Sequence, residues 1–531
     1  MGSLPASDAL SIGPPRAIGL PVNAIPNEDS NGRAPLFDGP APAATLDERA
    51  REAVGRARAA QERWRLVPLQ QRALALTRAA KEMLRKRSEI IAIAHDEIGK
   101  VEAEGIFVEA LGPLDNVKAW ARVVAKAATR EKVRLNPINF PGKRAHVDMV
   151  PRGVVGVIAP WNYPVAGLYR ATLPALLTGN GLVVKPSEYS PKSSAWLVDQ
   201  LAQALPDGLV QVLHGDGKAG TALIDAGIDA CVFTGSPESG RRVRLRCAER
   251  GIPSSLEMGG KDAAIVLGDC DLQRTIAGIT NWSLSNAGQA CGAIEIAYVD
   301  ERIADVFVSA LCRSWLRLRM GKDVAPMANR RQYDVVVSHV EDARAKGAVV
   351  VCGGAPADMP LGYRPTLLDR CDARMKVVRD ETFGPVLAVV RVPGAADAVR
   401  QVNEARYGLG TSIWTADIPR AERLAERLDV GVVTVNNHAF SGAIPALPWS
   451  GTRETGFGVA NSAHALSTFV RPRATVIDTA RSPELFWMPY DDALVELGHI
   501  LADAQLMRLE RAWKLPLLMR RRIRAIRDFF R

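Results

Sequence analysis

The chain has 531 residues, 47% of them hydrophobic, 24% charged and only 6% aromatic. At roughly 100–200 residues per domain this predicts two to four globular domains and excludes a fibrous or low-complexity chain. Net charge is +10, but Met507–Arg531 holds nine basic and two acidic residues, so the body is too weakly basic to suggest nucleic-acid binding.

No run of about 18 apolar residues free of charge or proline occurs, so no helix is expected to span a bilayer. The first residues show no basic segment followed by an apolar one, which predicts a cytoplasmic protein. The seven cysteines form no CxxC pair, and the histidines are equally scattered. Neither a disulfide framework nor a metal site is expected.

Residues 1–44, rich in Pro, Ala and Gly, read as a flexible arm. Thr45-Leu46-Asp47-Glu48 matches a capping box, and three or four amphipathic helices follow to about residue 130. Residues 132–150 are irregular and extended. From Gly153 short apolar runs (153–159, 182–185, 209–213 and 230–233) alternate with segments of helical length at 165–178, 191–204, 217–226 and 237–249. That alternation predicts a parallel, doubly wound sheet. A second set of strands is expected near 263–267, 294–299, 386–392, 411–414 and 432–435. After Pro472, Leu494, Leu497 and Leu501 mark one amphipathic helix. Pro516 resets the chain, and Met519, Ile523, Ile526 and Phe530 form an apolar stripe beside Arg520, Arg524, Arg527 and Arg531. Three readings of that last helix stay open: docking on the body or a neighbouring subunit, lying on a membrane surface, and disorder.

Six segments carry chemistry. Cys291 sits among small residues in NAGQACG (286–292), where a substrate carbon could approach the sulfur and the backbone N–H could serve an oxyanion. Glu257 leaves an apolar strand into the Gly259-Gly260 turn, as a general base facing a cleft would. Asn162, in PWNYP (160–164), follows the first strand of the sheet, where open α/β sheets bind ligands. Lys185 and Glu188 in KPSE could bond ribose hydroxyls. Gly235 and Ser236 open a helix in TGSPESG that could face a pyrophosphate. Glu381 and Phe383 belong to ETFGP, before another apolar strand. The standard dinucleotide and P-loop fingerprints are both absent.

In this order these segments, with YGLGTSIWT (407–415) and PWSGTRETGFG (448–458), resemble the aldehyde dehydrogenase superfamily over residues 45–472. The resemblance implies two doubly wound α/β domains: an NAD-binding domain at 45–131 and 151–259, and a catalytic domain at 260–445. It also implies oligomerisation or bridging segments at 132–150 and 446–480, leaving 481–531 as a basic helical extension. Cys291 then matches the nucleophile, Glu257 the general base and Asn162 the oxyanion-stabilising amide. Trp161, Lys185, Glu188, Gly235, Ser236, Glu381 and Phe383 match the cofactor site. NAD is preferred over NADP, because Glu188 would repel a 2′-phosphate. A homodimer or homotetramer is expected. Ile296 stands where an arginine is common in the family, and Ser450, Arg453 and Thr455 depart from its usual pattern. A CoA-acylating relative and a catalytically idle NAD-binding scaffold are the rival readings. Relatives of the first kind usually lack the glutamate.

Overall fold

The computed structural model describes residues 44–137 and 139–531, so the expected arm lies outside the described residues except for its last position. The chain divides into two bodies. One holds residues up to Thr129 with Val150–Arg471, and the other Arg130–Met149 with Pro472–Arg531.

In the first body α1 (Leu46–Trp64) begins at the capping box. Thr45 Oγ1 accepts from the Glu48 N–H, and the Glu48 carboxylate accepts from the Thr45 N–H at 2.8 Å. The strands β1 (Val154–Ile158), β2 (Gly181–Lys185), β3 (Val210–Val212), β4 (Ala230–Thr234) and β5 (Ser254–Glu257) follow. They lie parallel in the order β5-β4-β1-β2-β3, and Gly456–Phe457 adds an antiparallel edge beside β5. In β1, Val155 and Val157 enter one core while Val154 and Ile158 enter the other. Both faces are covered, and hence the run is continuously apolar rather than alternating.

The second sheet contains β6 (Asp262–Val266), β7 (Ile294–Asp300), β8 (Thr366–Asp369), β9 (Val386–Val392), β10 (Gly410–Trp414) and β11 (Val432–Val435). Its order is β8-β9-β7-β6-β10-β11, with Val349–Cys352 antiparallel on the β8 edge. Sequence patterning misses β8 and this edge strand. Each has only four residues, too few for periodicity to speak.

In the first sheet the strand order reverses between β1 and β4, so the loops at 159–164 and 235–240 flank a topological switch point. Two helices there start without a side-chain cap of their own. For α2 (Ala166–Leu177) the cap comes from afar: Glu109 Oε2 accepts from Val165 N at 3.1 Å and Ala166 N at 2.8 Å. For α3 (Pro191–Ala202), Glu97 accepts from Lys192 N, Ser193 N and the Ser193 hydroxyl. Carboxylates from the N-terminal helices thus neutralise helix N-termini in the sheet layer.

The second body holds most of a three-stranded sheet formed by Glu131–Val133, Lys143–Pro151 and Val470–Asp478, with Lys143–Pro151 in the middle. α4 (Asp492–Gln505) is capped by Asp491, and α5 (Leu515–Phe529) carries Pro516 in its first turn. The expected stripe on α5 needs one correction: Ile526 turns inward with Leu518, and Met519, Ile523 and Phe530 stay exposed. On α4 the buried positions are Leu497 and Ile500, while Leu501 is exposed.

α1 packs onto β2 where Gly181 lacks a side chain, because a Cβ there would lie 2.8 Å from the Ala57 carbonyl oxygen. Gly181→Val should therefore destabilise the protein by about 1–3 kcal/mol, the usual cost of overpacking against backbone. Thermal unfolding followed by circular dichroism reads this directly; an unchanged midpoint would mean that α1 does not seat there.

Candidate active site

Cys291 lies between the end of α-helix Leu272–Leu284 and β7, after an unusual turn. Asn286, Ala287 and Gly288 all have φ between 52° and 70°. Consecutive left-handed residues with side chains are costly and persist only where surroundings over-determine them. Those surroundings are visible here. Asn286 Nδ2 donates to the Asn162 carbonyl and to the Gln289 carbonyl, both at 3.1 Å. Gln289 Nε2 returns to the Asn286 carbonyl at 2.8 Å, and its Oε1 accepts from Ala328 N at 2.9 Å. Glu104 accepts from the Asn286 N–H at 2.5 Å.

Asn162 joins this network from the first sheet. Its Nδ2 donates to the Gln289 carbonyl at 2.9 Å, which uses one of its two amide hydrogens; the other has no acceptor among the described residues. The Asn162 carbonyl also accepts from Lys100 Nζ at 3.0 Å, and the same ammonium pairs with Glu109 at 2.5 Å. Lys100 and Glu109 are fully buried, and Lys100 also lies 4.1 Å from the centre of the Tyr163 ring.

Glu257, at the end of β5, pairs with Arg170 of α2 at 2.9 Å. The guanidinium in turn lies 5.8 Å from the Trp449 ring, whose edge faces Gly292, the residue after the cysteine. Burial pushes the Cys291 thiol up to about 12, and the Glu257 carboxylate adds to that rise; Arg170 opposes it, while Asp262 and Glu381 reinforce it more weakly. Cys291, Glu257 and Arg170 therefore share one electrostatic environment. Gly260 closes it, since a Cβ there would come within 2.6 Å of the Cys291 carbonyl oxygen.

Glu381 accepts from the Gly260 N–H at 2.8 Å. Burial first, and then the neighbouring Glu295, lift its carboxyl to about 8, so it carries a proton at neutral pH. The buried Glu295 is paired with Lys261 and accepts from Thr382 N and Phe383 N, each at 2.8 Å. Phe383, held with φ 51°, meets Trp161 edge to face at 5.5 Å between ring centres. The loops carrying PWNYP and ETFGP thus touch through their aromatic residues.

Lys185 and Glu188 pair with each other at 3.4 Å beyond the end of β2, and no hydrogen bond joins them to Cys291 among the described residues. Ser236 caps the helix Pro237–Glu249 by accepting from Ser239 N. Gly235 is required where it stands, because a Cβ would sit 2.7 Å from the Phe233 ring. A donor–acceptor pair for a diol, a helix N-terminus at the switch point and an aromatic edge fit an extended dinucleotide.

Sequence reasoning missed Arg170, Lys100, Glu109, Lys261 and Glu295, whose ion-pair partners lie 9 to 87 residues away. The departures at 448–458 touch the site through backbone. Thr455 O accepts from Met258 N at 2.7 Å, and Gly456 pairs with Glu257.

Residues 41–475 match the sequence profile of the Aldehyde dehydrogenase family. A 4,4'-diapolycopene aldehyde oxidase of a Methylomonas species is 36% identical over 80% of this chain and 81% of its own length. A Mycolicibacterium smegmatis protein, provisionally described as an NADP(+) succinate-semialdehyde dehydrogenase, is 34% identical over 76% and 80%. The NAD+ complex of a Bacillus cereus aldehyde dehydrogenase superposes with a TM-score of 0.78 at 26% identity, covering 82% of this chain and 89% of that one. A Mycobacterium tuberculosis aldehyde dehydrogenase with NAD+ gives 0.77 at 28% identity, covering 83% and 92%. The chain belongs to the aldehyde dehydrogenase family: it is an oxidoreductase that converts an aldehyde to the acid with a nicotinamide cofactor.

Proposed function

We propose that the reaction runs on Cys291 and is completed by hydrolysis at Glu257, with NAD as the preferred cofactor. The observation that carries this reading is the shared environment of Cys291, Glu257 and Arg170, with the Asn162 amide anchored two residues from the sulfur.

The Cys291 thiolate attacks the aldehyde carbon and forms a thiohemiacetal. The free Asn162 N–H and the Cys291 backbone N–H donate to the oxyanion, which puts fixed dipoles where charge develops. When bound, the nicotinamide ring supplies the hydride acceptor that leaves a thioester on Cys291. Glu257 takes a proton from water, the resulting hydroxide displaces the thiolate, and the acid departs. Arg170 orients the Glu257 carboxylate through their 2.9 Å pair. The intact glutamate favours water over CoA as acyl acceptor.

Lys185 and Glu188 would hold the adenosine ribose, with Glu188 accepting from its 2′-hydroxyl. Gly235 and Ser236 would face the pyrophosphate, and Trp161, Glu381 and Phe383 would border the nicotinamide half. The protein works in the cytoplasm as a homodimer or homotetramer. The edge strand Val470–Asp478 supports assembly, because it leaves Val476 and Ile477 exposed beside a backbone edge that no strand pairs among the described residues.

The primary test is NADH formation at 340 nm without CoA, over short, long-chain apolar and carboxylate-bearing aldehydes. Cys291→Ala should lose all turnover while still binding NAD. Glu257→Gln should release one NADH per site in a burst and then turn over at least about a hundredfold more slowly. A CoA requirement in the wild-type protein would instead identify an acylating enzyme.

Reactivity of the free protein gives a second, electrostatic check. With the thiol at about 12, alkylation of Cys291 by iodoacetamide should keep rising about tenfold per pH unit past pH ~9, where an ordinary thiol levels off. Removing a carboxylate that raises the pKa must lower it, so Glu257→Gln should speed alkylation while slowing turnover. Slower alkylation in that variant would show that Glu257 acts on the thiol as its base.

Glu188→Gln removes the charge opposing a 2′-phosphate. Its kcat/KM with NADP should rise roughly tenfold relative to NAD. No change in that ratio would place the adenosine ribose elsewhere.

A further inference from the structure

The last helix shows a surface that the catalytic reading does not use. On α5 the inward side is Leu518, Arg522 and Ile526. Arg522 is fully buried, donating to the Leu485 and Trp487 carbonyls and pairing with Asp491 at 3.3 Å. A buried guanidinium bonded at three points fixes the roll of the helix about its axis. α4 packs along α5, and Glu496 on α4 accepts from Lys514 and Arg511. Glu496 is thereby engaged by basic residues that precede the helix.

With the roll fixed, the outward side is set by the 3.6-residue period. Met519, Ile523 and Phe530 line up as an exposed apolar ridge, each at least 40% accessible. Arg520, Arg524, Arg527 and Arg531 form the next ridge round the helix. Among the described residues Arg520, Arg524 and Arg531 have no ion-pair partner, and Arg527 has only the adjacent Asp528 at 4.0 Å. Elsewhere in this body Phe486, Trp487, Met488 and Tyr490 are also exposed, on the loop that Arg522 holds. Uncommitted arginines beside large exposed apolar and aromatic side chains suit an interface that is anionic outside and apolar beneath.

We propose that α5 is a peripheral membrane-docking helix whose partner is an anionic lipid surface. Met519, Ile523 and Phe530 enter the boundary between headgroups and acyl chains, and the arginine ridge pairs with lipid phosphates. The helix has 15 residues and many charges, and no described helix is long and apolar enough to span a membrane, so it lies in the surface plane. Charge complementarity favours this occupant over a second copy of the same helix, which would set one arginine ridge against another.

The test is cosedimentation of the full-length protein with two kinds of vesicle, pure phosphatidylcholine and phosphatidylcholine with roughly a third phosphatidylglycerol. Two full-length variants run alongside, Met519→Gln/Ile523→Gln/Phe530→Gln and Arg520→Gln/Arg524→Gln/Arg527→Gln/Arg531→Gln. Every changed side chain is exposed; near-ultraviolet circular dichroism checks the fold and light scattering the molar mass. The wild-type protein should pellet with anionic vesicles and much less with neutral ones. Each variant should lose about tenfold or more of that binding, with fold and mass unchanged. Failure of the wild-type protein to pellet, equal pelleting on both vesicles, or binding retained in both variants overturns the proposal. A fall in molar mass in either variant does so too, by making this ridge a contact between copies of the chain. Pelleting is read on the protein alone, so the result stands whatever the outcome with aldehydes.

Discussion

The buried pair of Lys100 and Glu109 is the constraint on which the site depends. Both side chains are wholly removed from water, a state tolerated only when every remaining bond is made. Here the remaining bonds are themselves structural. Glu109 caps the start of α2, and Lys100 holds the Asn162 carbonyl. The loop between β1 and α2 is pinned at both its middle and its end. Asn162 passes that order across to the Cys291 turn, where Asn286 and Gln289 close the circuit. Breaking a buried pair by removing one partner typically costs about 3–5 kcal/mol, and in this protein the loss would appear as a misplaced amide before it appeared as unfolding.

The second sheet uses the same device. Lys261 and Glu295 are buried against each other, and Glu295 fixes the backbone at Thr382 and Phe383. One ion pair orders the loop with Asn162, the other the loop with Glu381, and Trp161 against Phe383 joins the two loops. Glu295 also occupies the position before Ile296, where the family commonly has an arginine. The charge anchoring this loop is therefore the buried glutamate, and Ile296 is free to be core.

How much of this was legible in the sequence follows from the range of each interaction. The strand–turn–helix units and the segments just after them could be read, because apolar runs, prolines and paired glycines are local signals. Thr45 with Glu48 is the shortest-range case, and the structure shows both of its bonds. Lys100, Glu109 and Arg170 gave no signal, since a single charged residue on an amphipathic helix looks the same whether it faces water or a partner far along the chain. The stripe on the last helix was half legible: its period was right, but Ile526 parts from Met519, Ile523 and Phe530 and turns inward beside Arg522. Nothing local distinguishes the one buried arginine that finds three acceptors from its five neighbours on the helix and at its end.

The charge balance around Cys291 explains why such a site needs its cofactor loops so firmly held. Burial first, and then the charge of Glu257, favour the neutral thiol, with Asp262 reinforcing them more weakly, while Arg170 opposes them. A resting thiol is a poor nucleophile and is also slow to oxidise. Reactivity must then come from what arrives. A positive nicotinamide ring beside the sulfur would lower its pKa by the same Coulomb effect that Glu257 uses to raise it. That effect falls off with distance, so the ring has to be placed closely and repeatably. The left-handed turn before Cys291 and the left-handed Phe383 are costly locally, and with the capped start of α2 they fix the loops that would place the ring. On the proposed reading the thiol is kept inert by its surroundings and a bound positive charge would make it reactive, which would couple cofactor binding to the first chemical step.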